Sequence, residues 1–119
     1  RSAGVPVFLY VNGCGHLLEA MAESGADALS VDWRARLADA RSRLPSTPLQ
    51  GNLDPGLLLG TPEEVSRRTR AMIAETQGRA HVVNLGHGIL PGSRLDCVEA
   101  FFEAARMPVG AGVEAEVRT

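Results

Sequence analysis

Apolar residues in this chain come in short blocks, and two kinds of block alternate. The first kind is a near-continuous run: Val5-Pro6-Val7-Phe8-Leu9-Tyr10-Val11, Ala28-Leu29-Ser30-Val31-Asp32-Trp33, Leu49-Gln50-Gly51-Asn52-Leu53, and Ala80 to Leu85. Runs this short and apolar suit strands buried on both faces, as in parallel sheets. The second kind spaces its apolar positions three and four apart. Leu17, Leu18, Met21 and Ala22 form one such set, Leu37, Ala40 and Leu44 the next. Val65, Thr69, Met72, Ile73 and Thr76 form a third, and Leu95, Val98, Phe101, Phe102 and Ala105 a fourth. That is the spacing of one helix face.

Turn and cap residues fall between the blocks. Asn12-Gly13-Cys14-Gly15 turns the chain after the first strand, and Gly25 closes the first helix. The second helix is expected over about Ala35 to Leu44, with Pro45 and Pro48 bounding the loop after it. Asp54-Pro55 ends the third strand, and Leu57-Leu58-Leu59 is a short apolar piece. Thr61-Pro62-Glu63-Glu64 is a strong helix start, with Thr61 as N-cap, Pro62 in the first turn and Glu64 completing a capping box. Gly78 stops that helix, and Ser93 with Asp96 predicts a second, weaker box. From Pro108 onward nothing anchors the chain, so residues 108–119 are expected to form a loose tail.

Strict strand–helix alternation demands parallel strands joined by right-handed crossovers. A complete (β/α)8 barrel needs roughly 250 residues. The pattern therefore predicts half of one, about four parallel βα units over residues 1–107.

Composition narrows this further. The 119 residues, 45% hydrophobic and 22% charged, suffice for one core and not for two ordinary domains. No apolar run approaches the roughly 20 residues that span a bilayer, and the N-terminus has no signal-peptide pattern. Arg1-Ser2-Ala3-Gly4 runs almost at once into a strand and reads like a cut inside a longer protein. A net charge of −2 provides no general attraction for nucleic acid. All 12 fixed positive charges are arginines, which suits planar recognition of carboxylates. Cys14 and Cys97 lie in different units and form neither a paired metal motif nor a disulfide framework. That favours a reducing compartment, so a cytoplasmic location is expected.

The candidate chemistry centres on Asn84-Leu85-Gly86-His87-Gly88-Ile89. His87 falls where the fourth strand hands over to a helix, and loops at the C-terminal ends of parallel strands hold the sites of such folds. Glycines on both sides let a ligand approach the backbone, and an imidazole can change charge near neutral pH. Asp32 and Asp54 also end strands on that face. Asp54, before Pro55, is expected to cap a turn, whereas Asp32 is open between structure and chemistry. Arg34 reads as a surface arginine, Asn12 and Asn52 as hydrogen-bond partners in the loops, and Trp33 and Tyr10 as core or layer-filling residues.

These segments, with Leu49-Gln50-Gly51-Asn52-Leu53-Asp54-Pro55 followed by Asn84-Leu85-Gly86-His87-Gly88-Ile89, resemble the C-terminal half of the uroporphyrinogen decarboxylase family over roughly residues 4 to 107. The resemblance implies a (β/α)8 barrel lyase of tetrapyrrole (haem) biosynthesis that works without metal or organic cofactor. It implies removal of carboxyl groups from the acetate side chains of uroporphyrinogen III to give coproporphyrinogen III. It makes His87 a substrate-binding residue that contacts the carboxylate side chains of the tetrapyrrole. The family's other pocket residues (N-terminal arginines, an aspartate for the pyrrole NH groups, a tyrosine and a Ser or Thr) lie upstream of the matched segment. No catalytic residue is therefore assigned to this chain, and the chain alone is expected to have no useful turnover. The expected partner is either a second copy, as a homodimer, or the missing N-terminal half. Two alternatives stay open. One is a zinc-dependent, cobamide methyltransferase-like relative: that family's zinc ligands would fall at Asn12, Cys14 and His87, of which asparagine is a poor ligand. The other is a non-catalytic half-barrel fragment.

Overall fold

A computed structural model describes residues 4–11 and 13–108, except for the side chain of Cys14. Asn12 and the tail from residue 109 onward lie outside the described residues. The elements run β1 (Phe8–Tyr10), a 3-10 turn (Cys14–His16), α1 (Leu18–Ala22), β2 (Ala28–Ser30) and α2 (Leu37–Arg43). They continue with β3 (Leu49–Leu53), a 3-10 turn (Pro55–Leu59), α3 (Pro62–Thr76), β4 (His81–Leu85) and α4 (Leu95–Arg106). The four strands form one sheet in the order β1-β2-β3-β4, and every pairing is parallel. Strand order that follows chain order, without the reversal of a doubly wound sheet, is the winding of a barrel. The fold is half of a (β/α)8 barrel.

Register explains the two faces. Leu9 pairs with Leu29, and Leu29 with Leu49, so these leucines form one row across the sheet. The row meets the helices. Leu18 and Met21 from α1, Leu37 and Ala40 from α2, Val65, Met72 and Ile73 from α3, and Cys97 and Phe101 from α4 join it in a single core. The opposite row contains Phe8, Tyr10 and Val82, which are 45%, 38% and 44% exposed.

Several elements differ from expectation. β1 and β2 are shorter than their apolar runs, although bonds from Ala28 N–H to the Val7 carbonyl (3.3 Å) and from Val31 N–H to the Gln50 carbonyl (2.7 Å) extend the ladder. The edge strands β1 and β4 are not buried on both faces; their residues alternate between exposed and half-buried. β2 is buried throughout. Thr61 caps α3 by accepting the Glu64 N–H, while the Glu64 carboxylate turns outward to Arg67 and Arg68. The expected box is thus half made.

The second box is absent. Arg94 takes the N-cap position of α4 without a side-chain cap, because the Ser93 hydroxyl donates instead to the Leu90 carbonyl (2.7 Å). α4 is also rotated from the predicted stripe. Cys97, Phe101 and Ala104 are buried, whereas Leu95 and Phe102 are mostly exposed. Arg70 of α3 contributes to this docking: its buried guanidinium donates to the Ala104 carbonyl (2.9 Å) and the Met107 carbonyl (3.2 Å) at the end of α4. Among the described residues no helix is long and apolar enough to cross a membrane.

Candidate active site

The C-terminal ends of the strands converge on Gly86, immediately after β4. Its N–H donates to the Leu53 carbonyl at the end of β3 (2.8 Å). Its carbonyl accepts the Trp33 N–H from beyond β2 (3.3 Å) and the Tyr10 hydroxyl from β1 (3.1 Å). The backbone of this one residue thus touches the tips of all three other strands. Only glycine fits there, since a Cβ would lie 2.3 Å from the Trp33 nitrogen. Of the two glycines expected to open the backbone to a ligand, Gly88 does have open space around it, but Gly86 serves close packing.

His87 follows this junction and is exposed at the mouth of the sheet. Its ring forms a T-shaped pair with Tyr10, with centroids 6.3 Å apart and planes at 73°. His87 and Tyr10 line a hollow of about 490 Å³ together with Ser30, Asn84, Leu85 and Ile89. Gln50 Nε2 donates to Ser30 Oγ (3.0 Å), an arrangement that leaves the Ser30 proton free to be donated to a ligand oxygen. The wall therefore offers hydroxyl, amide and imidazole groups beside apolar surface, which suits an organic ligand carrying carboxylates.

The other expected residues divide clearly. Asp32 is fully buried and accepts the Gly13 N–H (2.5 Å), so it ties the loop after β1 to β2. Arg34 is exposed, 3.8 Å from the Asp32 carboxylate and stacked over Trp33 at 5.3 Å. Asp54 caps the second 3-10 turn through the Gly56 N–H (2.8 Å), as its position before Pro55 predicts. Asn52 is buried and donates to the Asp32 carbonyl (3.0 Å) and to the Ala35 carbonyl, a loop partner as expected.

Trp33 and Tyr10 are not core residues; each is 38% exposed at the mouth. Tyr10 and Ser30 are the residues of the candidate site that sequence reasoning missed, whereas Asn84 belongs to the stretch it singles out. The signal was there in part, because Tyr10 and Ser30 are partners in register on the open face.

Among the described residues no group of three or more His, Cys, Asp and Glu side chains could hold a metal ion. Asn12 and the Cys14 side chain, two positions of the zinc alternative, lie outside the described residues. A second hollow, of about 330 Å³, lies between α2 and α3 beside Arg36, Arg68 and Glu75. The Glu75 carboxylate there is already used by the Ala38 N–H (2.7 Å).

Comparison with known proteins places this geometry. The model of the family described as "Uroporphyrinogen decarboxylase (URO-D)" matches residues 1–107. The chain belongs to the uroporphyrinogen decarboxylase family. A uroporphyrinogen decarboxylase from Prochlorococcus marinus (strain NATL1A) is 45% identical over 102 residues, covering 85% of this chain and 29% of the relative. One from Synechococcus sp. (strain JA-2-3B'a(2-13)) is 47% identical over 106 residues, covering 89% and 31%. The chain thus spans about three-tenths of the length of the curated relatives it matches.

Proposed function

We propose that this chain forms the C-terminal part of a uroporphyrinogen decarboxylase, a cofactor-independent carboxy-lyase that converts uroporphyrinogen III to coproporphyrinogen III. His87 is its substrate-binding residue. The observation that carries the reading is the convergence of the other three strand tips on Gly86, which sets His87 at the mouth beside a hollow of about 490 Å³.

The chemistry assigns His87 a limited task. Loss of carbon dioxide from an acetate side chain leaves electron density that the pyrrole must accept as it is protonated. A carboxylate is then needed to stabilise positive charge on nitrogen, and arginine forks to hold the remaining acidic arms. A protonated imidazole can hold one carboxylate or donate one proton. Asp32, the buried carboxylate nearest the mouth, already holds the Gly13 loop. The rest of the machinery therefore comes from strands beyond these four, and the isolated chain has no turnover. The open edges of β1 and β4 take those strands, or a second copy of this chain. The natural setting is the cytoplasm.

The test is titration of the 119-residue chain with uroporphyrin, the stable oxidised macrocycle, followed by fluorescence. His87→Gln is expected to weaken binding roughly tenfold to a hundredfold, as for loss of a charge-assisted bond. Equal affinity of the two proteins refutes the role of His87. Coproporphyrinogen production by the unmodified chain refutes the incomplete site. Sedimentation at micromolar concentration decides the second copy, which a monomer excludes.

A further inference from the structure

Tyr10 lies on the strand farthest from β4, yet its hydroxyl reaches the Gly86 carbonyl at 3.1 Å. Neighbouring strands lie about 4.8 Å apart, so a flat sheet would separate β1 from β4 by roughly 14 Å. That gap exceeds the reach of a tyrosine side chain. The sheet curls at its C-terminal end, and this one bond spans from edge strand to edge strand. The same ring packs T-shaped against the His87 imidazole, with centroids 6.3 Å apart, within the range of favourable aromatic pairs. Past Gly86 the loop is exposed at His87, Gly88 and Ile89. Tyr10 therefore grips both the start of the loop and the side chain it presents.

We propose that Tyr10 is a positioning residue: its hydroxyl fixes the Gly86 carbonyl, and its ring, T-shaped against the His87 imidazole, fixes the orientation of that imidazole toward the macrocycle. This rests on the reading of His87 as the carboxylate-binding group. Preorganisation of this kind raises affinity by removing the cost of ordering the loop when ligand arrives. Tyr10 itself need form no bond to the substrate.

Tyr10→Phe tests the hydroxyl, and Tyr10→Leu tests the ring. The chain has three histidines, so the imidazole carbon-bound protons can be assigned in carbon–proton correlation spectra with His87→Gln as reference. In Tyr10→Phe the His87 signals are expected to move while those of His16 and His81 stay, and uroporphyrin affinity is expected to fall about threefold to tenfold. Tyr10→Leu is expected to move the His87 signals further, through loss of the ring current. His87 signals at unmodified positions in Tyr10→Phe overturn the proposal. If Tyr10→Leu fails to fold, Tyr10→Phe carries the test alone. Failure of the His87 reading looks different: His87→Gln then leaves affinity intact, while the Tyr10→Phe spectrum still decides whether Tyr10 positions the ring.

Discussion

The two faces of the sheet come from the same strands and have opposite characters. Toward the helices, Leu29 and Leu49 are 1% and 0% exposed, within one core cluster to which all four helices contribute. Toward the open side, Phe8, Tyr10 and Val82 keep more than a third of their surface in solvent, and they share that side with Ser30. One face holds the fold together. The other is sparsely packed and carries the polar groups of the candidate site. The same division separates the two ends of the strands, because the hollow beside His87 opens at the C-terminal mouth.

The difference should be measurable. Leu29→Ala opens a void in the packed face and is expected to cost about 2–5 kcal/mol in urea unfolding. Val82→Thr on the open face is expected to change stability by no more than about 0.5 kcal/mol. Similar costs would mean that the two faces are packed alike.

Gly86→Ala comes next. A Cβ there meets the Trp33 backbone, so a loss of roughly 1–3 kcal/mol is expected. Gly88→Ala, two residues on and in open space, serves as the control and is expected to be close to neutral. A silent Gly86→Ala would remove the close contact on which the mouth is built.

The smallest effect is one of pH. His81 bridges Thr76 Oγ1 (2.8 Å) and the Gly51 carbonyl (2.6 Å), and burial holds its pKa below the ordinary imidazole value. Its contribution to stability is complete above about pH 6.5, the unfolded value, and declines as the pH falls from there through the lowered folded value. The thermal midpoint should therefore drop modestly between pH 7.5 and pH 5, and His81→Gln should flatten that drop. An unchanged slope would assign the acid sensitivity elsewhere.

Much of this architecture is legible in the chain. The periodicity of Val65, Thr69, Met72, Ile73 and Thr76 predicts the buried stripe of α3, and all five are buried. Thr61 and Asp54 cap their turns as their neighbours in sequence require. What stays hidden is non-local. An apolar run reports that a strand is apolar and not whether it lies at an edge of the sheet, so β1 and β4 read like β2 although alternate residues are exposed. The bond from Tyr10 to Gly86 joins residues 76 apart in sequence, and only the curl of the sheet creates it. The buried stripe of α4 departs from its sequence pattern for a similar reason. Leu95 and Phe102 are as apolar as Phe101, and only docking against α3 and the Pro55–Leu59 turn selects Cys97, Phe101 and Ala104.

At the opposite end of the strands, one side chain does the fastening. Arg41 of α2 donates through Nη1 to the carbonyls of Leu44 (3.2 Å), Pro45 (3.3 Å) and Thr47 (2.7 Å). Through Nη2 it donates to the carbonyls of Arg79 (2.8 Å) and Ala80 (3.0 Å). Two turns that share no sequence neighbourhood are stitched by one planar fork, whose geometry a lysine ammonium cannot reproduce. The turns before β3 and β4 are therefore expected to open together. Amide protons in those two turns should exchange with solvent at a common rate, while the mouth around His87 breathes independently above them.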